Sequence, residues 1–300
     1  MDMTQNKCCR HGANLRRRRR RRRKILRSII FSCSIIAVAV FVAVGSRMIT
    51  SGDGGTNKYD VEAGNNTYDN AVIENSKISE KNKIQNNQSM LDDIMNSTQY
   101  PKQLKDLALK NDEALEFVYD YPAEHVKEHT IDLTEEASMD SVPLFVQWDK
   151  RWGYEKYSGN FFAASGCGPT TLSMVVVYLT HNREASPIAV AKYSKEAGYS
   201  VDGSGSSWTL ISEGCMHYGV KAKAVALDES RMKAELDEGH PIVVNVGPGD
   251  FTDTGHFMVI TGYDDEGFSI NDPNSIEKSG KRWLFRNISS QIRAVWSMYV

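Results

Sequence analysis

The alternation of apolar and polar residues changes period along the chain, and each period predicts a different element. Over 165–179, Leu172, Val175, Val176 and Leu179 recur at helical spacing, while Met174, Val177 and Tyr178 make the other side apolar too. A helix without a polar face belongs in the middle of a fold. Pro169 suits its first turn, where a missing N–H costs nothing. Two more helices are predicted over 186–198 and 207–219, each opened by a capping residue and closed by glycine. The second sets Trp208, Ile211, Cys215 and Tyr218 along one face, which makes Cys215 a buried structural residue. Beyond it the pattern reads as strands over 220–227, 241–246, 256–263 and 267–271, with a helix inserted over 228–238. Helices first and mostly antiparallel strands later predict an α+β domain over 142–300, with helices on one side of a sheet.

Upstream, Leu104, Leu107, Ala108, Leu115, Phe117 and Val118 have roughly helical spacing, interrupted near Asn111 and closed by Tyr121-Pro122. Two short helices fit, and residues 89–141 read as a helical prefix packed on the domain that follows. Residues 47–88 are rich in Asn, Gly, Ser, Asp and Lys and read as a flexible linker. Ahead of them, Ile29 to Gly45 carries no charged residue and would span about 25 Å as a helix, close to a bilayer core. With flanking residues this gives a transmembrane signal anchor over 25–46, preceded by a basic tail over 1–24.

Charge gives the anchor a direction. Residues 1–47 hold thirteen bases against the single acid Asp2, and the chain's 36 bases and 38 acids leave 23 against 37 for the remainder. The basic flank stays in the cytoplasm, so a single-pass anchor in the cell membrane sends the rest of the chain outside. A cleaved signal peptide is the alternative, with Ala43-Val44-Gly45 as the small residues. Next to an apolar span, the arginine run reads as orientation and attraction to anionic lipid, and no nucleic-acid partner is predicted. The acidic remainder points, as a field argument alone, to distance from anionic wall polymers or to basic substrates. Of five cysteines, only Cys167 and Cys215 fall beyond the span, too few for a disulfide framework.

Cys167 opens the central helix, where the helix dipole and free N–H groups favour thiolate over thiol. Gly166 and Gly168 on either side let backbone and substrate approach. The same cysteine also fits as a small apolar residue starting a buried helix, and the residues alone leave both readings open. Among the histidines, His256 is distinct: it follows a glycine-rich loop and opens an apolar strand, so its ring would be held at the rim of a sheet. Sixteen residues on, Asp272 ends the next strand, and a hairpin would return it beside His256 to accept the ring N–H. Turn formation in Asp272-Pro273-Asn274 is the competing role. No zinc-ligand cluster is apparent.

The segments GCGPTTLSM, an upstream QWD, PGDFTDTGHFMVITGY and NDPNS occur in an order that resembles the family thirty-nine-like cysteine peptidases of bacteria. These are relatives of the double-glycine bacteriocin-leader peptidases and of papain. The resemblance runs from about Pro101 to Val300. It implies a papain-like fold whose first central helix carries the nucleophile against an antiparallel sheet. It also implies Cys167 as nucleophile, His256 as general base, Asp272 as orienting carboxylate and Gln147 as oxyanion donor, with a peptide or protein substrate and no cofactor. Gln147 departs from the papain pattern, which sets that glutamine nearer the cysteine, about where Phe161 stands, and Asn160 is the reserve candidate. A non-catalytic peptide- or wall-binding protein and a thiol acyltransferase are the alternative functions.

Overall fold

The computed structural model describes residues 66–300, with 66–80 described through their backbone alone. The basic tail, the predicted anchor and the first part of the predicted linker lie outside the described residues. Among the described residues no helix is long and apolar enough to cross a membrane.

The first helix, α1 (Asn66–Asn96), corrects the flexible linker predicted to residue 88. From residue 81 its side chains are mostly exposed, with Gln88 Nε2 donating to Asp92 Oδ1 at 2.8 Å one turn on. Only its end enters the core, through Met90, Leu91 and Ile94. There it meets α2 (Lys102–Lys110) and α3 (Leu115–Tyr119), the two short helices expected, broken at Asn111. Asn111 leaves helical geometry and caps the next turn, its Oδ1 accepting from Glu113 N–H at 3.0 Å. Tyr121-Pro122 does not close this region; Pro122 sits in the first turn of a further helical turn, Tyr121–Glu124. Leu104, Leu107, Phe117 and Val118 pack with Phe161 and Ala163, so the prefix shares a core with the segment leading to Cys167.

The apolar helix is α4 (Cys167–Thr180), with a run of buried residues from Gly168 to Val177. It ends at His181, which takes the left-handed conformation at φ 57° while its N–H returns to Val177 O. Trimming a side chain such as Leu172, fully buried, to alanine would cost about 2–5 kcal/mol. Helix α5 (Pro187–Glu196) follows as predicted, with Ser186 as its cap. The single helix predicted over 207–219 does not form. The chain breaks at Glu213 into the turn Thr209–Ser212 and the 3-10 turn Gly214–Tyr218. Gly214 is a poor helix former, and here it lets the chain close on the Tyr199 ring, 3.1 Å from where a Cβ would stand. Ile211 and Cys215 are buried as expected, but the break turns Trp208 outward, 48% exposed.

Six strands, the first of them ahead of α6 (Glu229–Asp237, capped by Asp228), form the main antiparallel sheet. In chain order they are β1 (Lys221–Ala224), β2 (Ile242–Val246), β3 (His256–Asp264), β4 (Gly267–Asn271), β5 (Arg282–Trp283) and β6 (Ile292–Tyr299). Their order across the sheet is β1-β6-β2-β3-β4-β5. The C-terminal strand β6, which the period did not reveal, is therefore interior. The sheet is also covered on both faces, not one. Val243, Phe257, Val259, Trp296 and Met298 meet α4 on one side. Their alternates Ile242, Val244, Met258 and Ile260 meet Met232 of α6, Phe251 and Ile288 on the other. Two-sided burial explains why β2 reads as a near-continuous apolar run.

Candidate active site

Helix α4 and strand β3 lie side by side, joined where Thr171 Oγ1 donates to Phe257 O at 3.0 Å. This sets the first residue of each element, Cys167 and His256, near enough for each to shift the other's titration. Cys167 is partly exposed and opens onto a cleft of about 670 Å³. The glycines beside it are steric requirements. A Cβ on Gly166 would stand 2.5 Å from the Phe162 ring, and one on Gly168 would stand 2.5 Å from Ser206 Oγ.

His256 pairs with Val246 at the start of β3 and is 6% exposed. Its Nε2–H donates to Asp272 Oδ1 at 2.7 Å, which leaves Nδ1 for Cys167. Asp272 is fully buried just past β4. Its Oδ1 also accepts from Asn274 N–H at 2.8 Å, its own N–H donates to Ser279 Oγ at 2.9 Å, and its Oδ2 is buried without a partner. Aspartate here is both turn former and histidine partner.

Electrostatics follow from this packing. Burial works against the Cys167 thiolate, but the His256 ring and the N–H groups of Phe257 and Gly168 outweigh it and hold the thiol below its ordinary value. Burial likewise works against an imidazolium, yet the Asp272 carboxylate beside the ring dominates, helped by Cys167, and raises His256 to about 10. The pair therefore favours thiolate and imidazolium over thiol and imidazole.

The two amide candidates are placed differently. Gln147 is buried; its Nε2 donates to Ala163 O at 2.7 Å, its backbone N–H donates to Pro273 O at 2.7 Å, and its Oε1 has no partner. It adjoins the Asp272 turn but does not line the cleft. Asn160 does line it, with Oδ1 accepting from Phe161 N–H at 2.8 Å and Nδ2 uncommitted among the described residues.

Sequence reasoning missed the groups that hold the Asp272 turn from outside. The Glu113 carboxylate accepts from Ser275 Oγ, from Ile276 N–H at 2.8 Å and from Glu277 N–H at 3.0 Å. Asn111 Nδ2 and Trp148 Nε1 both donate to Asn274 O, at 2.9 and 3.2 Å. Asn111 was legible as a helix break, but nothing local announces a contact across more than 160 residues. Among the described residues no cluster of three or more His, Cys, Asp or Glu could hold a metal ion.

Comparison with known proteins adds a family. No curated protein matches the chain. Among solved structures, the chain is similar to the peptidase domain of Streptococcus ComA, a bifunctional ABC transporter of a quorum-sensing pathway. Identity is 19% and the TM-score 0.38, over 53% of this chain and 96% of that one. It is also similar to a C39-like peptidase from Bacillus anthracis, at 18% identity and TM-score 0.33, over 53% and 95%. The profile of the Peptidase_C39 like family matches residues 139–300, more than half of the chain and all three of Cys167, His256 and Asp272, so the chain belongs to that family.

Proposed function

We propose that the chain is a cysteine peptidase that hydrolyses peptide bonds through Cys167, His256 and Asp272, working outside the membrane in which residues 25–46 anchor it. The observation that carries this reading is the buried 2.7 Å bond from His256 Nε2 to Asp272 Oδ1, with the same ring beside a thiol that opens on a cleft. Cys167 Sγ attacks the scissile carbonyl carbon as thiolate, and the electron pair of the C=O bond moves onto oxygen. His256 Nδ1–H gives its proton to the leaving amine as the tetrahedral intermediate collapses to a thioester. His256 then takes a proton from water, whose oxygen displaces Cys167 and releases the acid product. Asp272 holds the ring in the tautomer this requires and stabilises its cation.

The oxyanion is held by the backbone N–H groups at the start of α4 together with a side-chain amide, for which Gln147 and Asn160 are the candidates. Removing the amide that serves should lower kcat by about 10²–10³, and the other replacement should not. The test of the whole reading is a peptide library offered to the purified chain and to Cys167→Ala. Turnover by the parent and none by the variant is expected; equal turnover would refute the assignment. The external location rests on the apolar run Ile29 to Gly45 behind a basic flank. Protease added to intact cells should digest the C-terminal region.

A further inference from the structure

The cleft at Cys167 is lined mainly by small and neutral residues, among them Ser206, Gly247 and Thr254. Among the described residues, apart from Cys167 itself, one ionised side chain lines it, Arg293, and no carboxylate does. This is unexpected for a region in which acids outnumber bases, and the way Arg293 reaches the cleft is specific. On β6, Ile292 pairs with Val246 and Ala294 pairs with Asn245, so the register shifts and Arg293 is the extra residue of a bulge. A bulge re-aims a side chain that strand alternation would send elsewhere. The guanidinium then lies over Gly247: a Cβ there would stand 2.8 Å from Nε and 3.1 Å from Nη2, so any larger residue would push the guanidinium aside. Nη1–H donates to Ser290 O at 2.7 Å, and the other donors have no partner among the described residues. Arg293 makes no ion pair there. A planar cation at the exposed rim of a cleft that offers it no carboxylate of its own is suited to receive one from a substrate.

We infer that Arg293 selects substrates that present a carboxylate near the scissile bond, either an acidic side chain or the chain's own C-terminus. This rests on the peptidase reading of the same cleft and reverses the basic substrates expected from overall charge.

The experiment uses peptides that differ at one position at a time among Glu, Gln and Lys, each with a free or an amidated C-terminus. Hydrolysis by the parent chain is compared with Arg293→Gln and Arg293→Glu, and the affinity of the same peptides is measured on Cys167→Ala, which holds them without cleaving. At one position the parent should prefer Glu over Gln by about ten- to a hundredfold in kcat/KM, the range of a charge-assisted hydrogen bond. The preference should vanish in Arg293→Gln and turn toward Lys in Arg293→Glu. A gain confined to peptides with a free C-terminus identifies the terminal carboxylate as the group recognised. Equal rates for Glu, Gln and Lys together with no difference between free and amidated C-termini, or a preference that survives Arg293→Glu, would overturn the assignment. Selective binding by Cys167→Ala with no cleavage by the parent would instead sink the peptidase reading and leave Arg293 its role.

Discussion

Two cysteines touch the same apolar core, and their surroundings make them chemically different. Cys215 lies in the 3-10 turn Gly214–Tyr218 with no exposure, and burial pushes its thiol up to about 11. Cys167 is packed against the same cluster from the start of α4, where His256 and two backbone N–H groups pull its thiol down. Burial acts in the same direction on both. What separates them is a partner charge, and that charge persists because Asp272 is itself held in place. Reactivity is thus a property of the α4–β3 junction and the turn behind it, not of cysteine in this core.

The comparison breaks most directly by mutation. Cys167→Ala should lower turnover by a thousandfold or more, whereas Cys215→Ala should leave kcat/KM within about twofold, measured on any peptide that the parent cleaves. Asp272→Asn should cost about a hundredfold or more in kcat, because it removes the charge that stabilises the imidazolium. The same change should move the Cys167 thiol back toward its ordinary value, read from the pH dependence of alkylation. A pH effect on stability follows with a definite sign. His256 is raised in the folded chain, so its contribution is complete below its ordinary value of 6.5 and is lost as the pH rises through about 10. Cys167 is lowered in the same pair and gains stability over the range in which His256 loses it, so the folded and unfolded pairs hold one proton each between the ordinary values of 6.5 and 9.0; thermal midpoints should be level there and fall only as the pH rises from about 9 through about 10, and fall less in Asp272→Asn.

Smaller effects test whether the prefix participates. Glu113→Ala leaves the N–H groups of Ile276 and Glu277 and the Ser275 hydroxyl without their acceptor, at a cost of about 1–3 kcal/mol. It should lower kcat about tenfold through the Asp272 turn and leave the behaviour of Cys215 unchanged. Smallest in activity is Cys215→Ser, which buries a hydroxyl in an apolar site. It should lower stability by about 1–3 kcal/mol, seen in denaturant midpoints, with turnover unaffected.

Local pattern carried the elements that bring their own periodicity or caps: α4 with its all-round apolar surface, α5 with Ser186, α6 with Asp228 and the hairpin β3–β4. Cys167, His256 and Asp272 were legible because each sits at an element boundary, where sequence signals are strong. Strand β6 was not, since its bulge at Arg293 and its burial on both faces erase the two-residue alternation. The helix predicted over 207–219 failed at Gly214, whose contact with Tyr199 is tertiary. The brace from Glu113 and Asn111 to the Asp272 turn was invisible for the same reason: its partners meet only after the prefix has packed.

The most direct test of the central claim is the rate of iodoacetamide labelling at each cysteine of the folded chain as a function of pH, with the modified residue identified by mass. The labelling rate of Cys167 should level off at a pH below that at which a free thiol does, while Cys215 stays unlabelled until the chain is unfolded. A Cys167 rate that climbs with pH through about 8.5, as for a free thiol, would contradict the thiolate–imidazolium pair and the peptidase built on it.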